Sequence, residues 1–434
     1  MTSKEIKRMI TKVLIVIIVI ILAERVYNAR DEFHVEAEDA SYYGFIEANL
    51  TTKEKLKDFE YLYSVLEENY PFFEVNKRQH GIDWLGNKKK YKRLIRNTKN
   101  DAEFYVAMDR ILKDLHNGHV NIFNGRNYRY FYKNYYLGFL EADTLKRLAW
   151  YDAFSNPYVK NRYDFDASEE SIEEIEIFNE NNLKTKILIE DELAYMKIYK
   201  MNGLDGARKD YPIIKEFFKE VEDYKKLIID IRGNGGGNNI YWKNIMELLI
   251  DKPLSMTYYS FFKGGHRDLH LDPYKVRYLT TIENLDEKVL EKFPEEVKTD
   301  FDYYKISRIN VNPWGVSHNP NDYVDFKGKI YLLVDRGVFS SSEIFSAFAK
   351  DTGFATLVGE TTGGDSLSEE IPIIHLPVSK FVIRYSRELR INADGTINME
   401  TKTTPHIQVD PTPHEDFNKD PCIQAVIEDK GYNK

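Results

Sequence analysis

Three serines in a row, Ser340-Ser341-Ser342, close a short polar turn after the apolar run from Ile330 to Val334. They open an amphipathic pattern carrying Ile344, Phe345 and Phe348. A serine at a helix N-terminus has unpaired backbone N–H groups beside it and the positive end of the helix dipole behind it. Those are the surroundings an oxyanion needs. Serine is also a common helix cap, so the stretch alone allows two roles, nucleophile or cap. A second turn of chemical interest is Asp230-Ile231-Arg232-Gly233-Asn234-Gly235-Gly236-Gly237. Glycines in such a turn let backbone N–H groups approach a ligand closely and point at negative charge. No Gly-Lys-Ser/Thr closes it and its glycines lack dinucleotide spacing, so it is neither a P-loop nor a dinucleotide fingerprint.

Both turns run from a buried-type strand into a helical pattern. Lys226 to Ile231 precedes the glycine turn, and a helix is expected from about Ile240 to Ile250. After the serines, a second strand is expected at Ala355 to Val358, ending in another glycine turn, Gly359 to Gly364, followed by Asp365. Strand-end loops of an α/β sheet gather at one edge, where ligands bind, so the turns are expected to face one crevice. Lys186 to Ile189 and Leu193 to Ile198 predict two more strands joined by a tight Glu190-Asp191-Glu192 turn. The fold class read from this order is α/β, with a mainly parallel sheet flanked by helices.

A small helical region is expected ahead of it. Thr51-Thr52-Lys53-Glu54 has capping-box spacing, and Leu56, Phe59, Leu62, Val65 and Leu66 recur at helical intervals until Pro71. Asn100 to Glu103 caps a further helix, with Phe104, Met108, Ile111 and Leu115 on one face, expected to stop at Asn117-Gly118. His119 opens a short predicted strand through Phe123. Expected boundaries are a leader at 1–25, a linker at 26–50, the helical region at 51–125, a connecting segment at 126–185, the catalytic-type region at 186–415 with an insertion at 253–325, and a tail at 416–434.

The chain has 434 residues, a net charge of −9 and no dense basic cluster in its body, which argues against nucleic acid as a partner. A single cysteine, Cys422, rules out an intramolecular disulfide and a zinc site built from several cysteines. Lys4, Lys7, Arg8 and Lys12 precede an apolar run from Val13 to Ala23, closed by Glu24 and Arg25. This is the pattern of a signal segment. An uncleaved signal-anchor is expected, with a cleaved signal peptide and a secreted body as the alternative. In either case the body lies outside the cytoplasm.

Taken together, these motifs resemble the tail-specific (C-terminal processing) serine peptidases and their tricorn-core relatives. Asp230, Arg232, Asn234, Gly236 and Gly237 match the family's strand-turn pattern. Ser340-Ser341-Ser342-Glu343 matches its nucleophile motif, and Gly359, Glu360, Thr362 and Gly364 match the turn that follows. Gly81-Ile82-Asp83-Trp84 and Leu115-His116-Asn117-Gly118-His119-Val120 resemble segments of the tricorn-like branch. The resemblance implies crotonase-like ββα units and cleavage of a peptide or protein substrate through an acyl-enzyme. No cofactor or metal is called for.

The resemblance further implies Ser340 as nucleophile, with Ser341 and Ser342 as competitors. The backbone N–H groups of Gly236 and Ser341 are implied as the oxyanion hole. The processing peptidases carry a lysine base after the last glycine turn. Asp365 stands there instead, so the Ser-Lys dyad is absent and Asp365 is read as a turn cap. The tricorn-like branch takes its base from the helical region, which implies His119, with His116 as competitor. A histidine suits proton transfer near neutral pH. Glu400 is the implied carboxylate orienting it. Asp230, Arg232, Asn234 and Glu343 are expected to support the turns, and His318, His375 and His406 to be structural. No carboxylate-binding loop of a PDZ domain is evident. The alternative is a non-catalytic member that binds a peptide or apolar ligand in the same cleft. Oligomeric state is not legible.

Overall fold

The computed structural model describes residues 33–137, 149–168, 182–264, 279–313, 322–365 and 371–430. The basic-apolar leader and part of the 253–325 insertion lie outside them. Among the described residues no helix is long and apolar enough to cross a membrane.

The helical region contains α1 (Thr52–Asn69), α2 (Phe73–His80), α3 (Lys88–Arg96) and α4 (Asp101–Lys113). Local chemistry sets their starts. Thr51 and Glu54 form a reciprocal capping box on α1, and the Asn100 side chain accepts the Glu103 N–H on α4. Helix α4 ends at Lys113, earlier than expected, and a turn through Asn117 carries the chain into β1 (Asn121–Ile122). Helix α5 (Gly125–Phe131) follows. The stretch expected as a linker is packed where it is described: Phe33, Val35, Ala40 and Phe45 are buried against the helical region. Asp101 fixes it by accepting the N–H groups of Ala48 and Leu50 at 2.7 and 2.9 Å.

The second region is built on a six-stranded sheet with β2 (Leu183–Ile189), β3 (Leu193–Ile198), β4 (Lys226–Asp230), β8 (Lys329–Val334), β9 (Thr356–Gly359) and β13 (Ile407–Gln408). Its spatial order is β13-β9-β8-β4-β3-β2. All pairs are parallel except β2 with β3. The strand residues alternate between two cores, as a pleated strand covered on both faces must. Leu227 and Ile229 pack with α6 (Leu204–Glu220), α7 (Asn239–Leu249) and α8 (Ser341–Asp351). Ile228 faces the other way, towards Cys422, Ile423 and Val426 of α9 (Pro421–Glu428).

The insertion supplies β5 (Leu254–Phe262), β6 (Thr280–Thr281) and β7 (Tyr303–Val311), which join β12 (Leu389–Asn392) in a four-stranded sheet. The remaining sheet unites the two regions. Strand β1 pairs antiparallel with β11 (Val382–Arg384), which pairs with β10 (Ile373–His375). Asn121 lies opposite Arg384 and Ile122 opposite Ile383. Asp58 of α1 adds a second tie by accepting the N–H groups of Val378 and Ser379 at 2.8 and 2.7 Å. Through these contacts the turn carrying His119 is held against the parallel sheet's C-terminal edge.

Candidate active site

Ser340 is the last residue before α8. Its position is that of an N-cap, but its hydroxyl caps nothing. Its backbone has φ 55° and ψ −125°, a region that L-residues enter at a cost of order 1–3 kcal/mol. Surrounding bonds hold it there. The Phe339 carbonyl accepts the Ser342 N–H at 3.2 Å, and the Ser340 carbonyl accepts the Ile344 N–H at 3.0 Å. The conformation turns the Ser340 hydroxyl away from its own helix and towards His119, whose Nε2 lies 3.2 Å from Oγ.

His119 is buried, and its ring lies against Phe339 with centroids 5.0 Å apart. Its backbone N–H donates to Asn117 Oδ1 at 2.9 Å. Its Nδ1 lies 2.8 Å from Oδ1 of Asp365, also buried. With the carboxylate accepting from Nδ1–H, the Nε2 lone pair faces the serine hydroxyl; this tautomer follows from the hydrogen-bond network. Asp365 is itself anchored, because its N–H donates to Asn398 Oδ1 at 2.8 Å. Asn398 Nδ2 donates in turn to Glu343 Oε1 at 2.8 Å, and Thr403 Oγ1 donates to the same oxygen at 2.6 Å. Burial pushes the Glu343 carboxyl above the usual carboxylate range, against the hydrogen bonds of Thr362, Thr403 and Asn398.

The structure therefore brings Ser340, His119 and Asp365 into line, and it does not bring Glu400, the expected carboxylate, to His119. Glu400 lies away from His119: it accepts from Arg78 Nε at 2.8 Å, and Arg78 also contacts Glu296 at 2.6 Å. Asp365, read as a turn cap, occupies the place beside Nδ1. The competing His116 stacks on His80 with centroids 3.9 Å apart. Ser342 donates to Asn234 Oδ1 at 2.8 Å, and the Ser341 hydroxyl is buried with no hydrogen-bond partner among the described residues. His406 accepts the Leu357 N–H at 2.9 Å, and His375 contacts Asp152 at 2.7 Å. His318 is outside the described residues.

The glycine turn lies against the nucleophile. A Cβ on Gly236 would sit 2.6 Å from the Phe339 carbonyl oxygen and 2.8 Å from both Ser340 Cβ and the Ser341 nitrogen. Gly236 also has φ +94°, so both space and backbone demand glycine. The Gly236 N–H donates to Asn234 Oδ1 at 3.0 Å. Among the described residues the Ser341 N–H has no protein acceptor. Of the expected donor pair, Ser341 is thus uncommitted and Gly236 is engaged by its own turn.

Arg232 and Asp230 brace that turn. Arg232 reaches Asp230 at 2.6 Å and Asp420, which caps α9, at 2.9 Å. Burial drives the Asp230 carboxyl upward, but the Arg232 hydrogen bonds and the Lys197 ammonium outweigh it and hold it below the usual range. Among the described residues no group of three or more His, Cys, Asp or Glu side chains could hold a metal ion. Ser340, Ser341, His119 and Asp365 open onto a cleft of about 660 Å³, also lined by Tyr130, Lys200, Gly235 to Gly237 and Arg384.

The profile of peptidase family S41 matches residues 192–409, and that of the tricorn protease C1 domain matches residues 51–113. The chain belongs to peptidase family S41. The fold is similar to that of a Parabacteroides merdae crystal structure at TM-score 0.53 and 19% identity, covering 86% of this chain and 96% of that one. It is also similar to mature CPAF complexed with lactacystin, at TM-score 0.51 and 13% identity, covering 82% and 94%. A Chlamydia pneumoniae protein is 26% identical over 199 residues, 38% of this chain. The match spans 30% of that relative's length.

Proposed function

We propose that the chain is a serine peptidase in which Ser340 is the nucleophile, His119 the general base and Asp365 the carboxylate that orients it. One observation carries this reading: a continuous line from Asp365 Oδ1 through His119 to Ser340 Oγ, at 2.8 and 3.2 Å, opening onto a cleft. Membership of a peptidase family supports a peptide or protein as substrate.

In this reading Ser340 Oγ attacks the scissile carbonyl carbon as His119 Nε2 takes its proton. Asp365 holds the ring in the required tautomer and stabilises the imidazolium that forms. The Ser341 N–H, at the start of α8, faces the developing oxyanion. Gly236 supplies the second N–H by sharing it between the oxyanion and Asn234 Oδ1. Each such donor is worth about 3–4 kcal/mol. His119 then passes the proton to the leaving amine, and water hydrolyses the acyl-enzyme by the same route. The basic-apolar leader directs the body out of the cytoplasm, either anchored or released.

Digestion of a mixed peptide library, read by mass spectrometry, tests the proposal. The wild-type chain is expected to yield cleavage products that disappear in Ser340→Ala and His119→Ala. Absence of products with the wild type, or unchanged products with Ser340→Ala, overturns it and leaves a ligand-binding cleft.

A further inference from the structure

The cleft beside Ser340 contains a cation that the Ser340–His119–Asp365 line does not use. Lys200 follows β3, and one side chain clamps its backbone. Its N–H donates to Asn182 Oδ1 at 2.9 Å, and its carbonyl accepts from Asn182 Nδ2 at 3.0 Å. The next residue is fastened to the glycine turn. The Met201 N–H donates to the Gly236 carbonyl at 3.1 Å, and the Met201 carbonyl accepts the Asn238 N–H at 2.7 Å. Lys200 is thus set between the end of β3 and the residue bonded to the glycine turn that lies against Ser340.

Its ammonium lies 5.1 Å from the centre of the Tyr130 ring, on α5 of the helical region. Among the described residues no carboxylate contacts it. Burial lowers its pKa. A cation over an aromatic face recovers little at an accessible site, and a desolvated ammonium is costly until an anion meets it. Arg384, against the Phe131 ring at 5.0 Å, adds a second positive charge to the cleft. The single carboxylate among the described lining residues, Asp365, is bound by His119.

We propose that Lys200 is a specificity-determining residue that binds a carboxylate of the substrate close to the scissile bond. The chemistry is that of an Asp or Glu side chain or of a peptide's C-terminus. The inference rests on the peptidase reading for its setting, and the test separates the two.

Matched peptides differing only as Glu against Gln, or as free against amidated C-terminus, would be compared for kcat/KM with wild type, Lys200→Met and Lys200→Glu. Their binding to Ser340→Ala, alone and combined with Lys200→Met, would be measured in parallel. The wild type is expected to favour the carboxylate about tenfold, the ratio given by about 1.4 kcal/mol from one charge-assisted hydrogen bond. The preference is expected to vanish in Lys200→Met and reverse in Lys200→Glu, and the pair that shows it names the source. Cleavage with no carboxylate preference, or an equal loss for every peptide in Lys200→Met, overturns the proposal while the peptidase reading stands. Carboxylate-selective binding to Ser340→Ala without cleavage by the wild type upholds Lys200 and overturns the peptidase reading. Neither cleavage nor selective binding overturns both.

Discussion

His119 Nδ1 lies 2.8 Å from Asp365 Oδ1, and both side chains are buried. The contact joins a turn of the helical region to the end of a glycine turn on the parallel sheet. Removing the negative charge while keeping the shape gives a direct prediction. Asp365→Asn is expected to fold normally but lose on the order of 10³–10⁴ in kcat, because the amide favours the wrong imidazole tautomer. Steady-state peptidase kinetics beside a thermal melt check this.

Glu400 provides the contrasting case. It is tied to the partly exposed Arg78, away from His119. An exposed pair of this kind contributes about 0–1 kcal/mol. Glu400→Ala is therefore expected to leave kcat/KM within about twofold of wild type and to shift the melt only slightly. The same kinetics would expose an error, since a loss matching that of Asp365→Asn would place Glu400 in the proton-transfer line.

Gly236 has no room for a methyl group. Its Cβ would press on Phe339, Ser340 and Ser341 together, at a φ that disfavours L-residues. Gly236→Ala is expected to cost more than about 1 kcal/mol of stability and to lower kcat more than it raises KM. Melting and kinetics on one preparation separate the two effects.

Glu343 gives the pH prediction. Burial raises its pKa above the ordinary 4.5. A carboxyl whose folded pKa exceeds its unfolded value binds the proton more tightly when folded, so its contribution is complete below about 4.5 and is lost as pH rises through the folded pKa. Glu343→Gln keeps an acceptor for Asn398 and Thr403 and cannot ionise. Its melting temperature is expected to rise relative to wild type as pH increases from 4.5 towards neutrality. A difference independent of pH would mean that Glu343 does not titrate in this range.

Much of the architecture was written locally in the chain. The strand-turn-helix units around Asp230 and Ser340, the capping box at Thr51 and the Asn100 cap depend on neighbours in sequence. So does the pairing of a serine at a helix start with a nearby glycine turn. The partner of His119 was not legible, because it depends on β1 docking beside β11 and on where the glycine turn then delivers Asp365. Glu400 was the carboxylate implied in one dimension, with Asp365 read only as a turn cap, and it is the fold that sends Glu400 to Arg78. The signal present was Asp365 itself, a carboxylate standing where a related branch carries its base. The packing of residues 33–50 was missed for a similar reason. Phe33, Val35 and Phe45 are too sparse to form a periodic pattern, yet each meets a core formed by distant residues.

The central claim is that His119 and Asp365 activate Ser340 for attack. The most direct measurement is the rate and site of covalent labelling by a fluorophosphonate, followed by peptide mapping. The adduct is expected on Ser340 alone, absent from Ser340→Ala, and formed on the order of 10³-fold more slowly in His119→Ala and Asp365→Asn. An adduct on another serine, or a labelling rate unchanged when His119 is removed, would contradict the account.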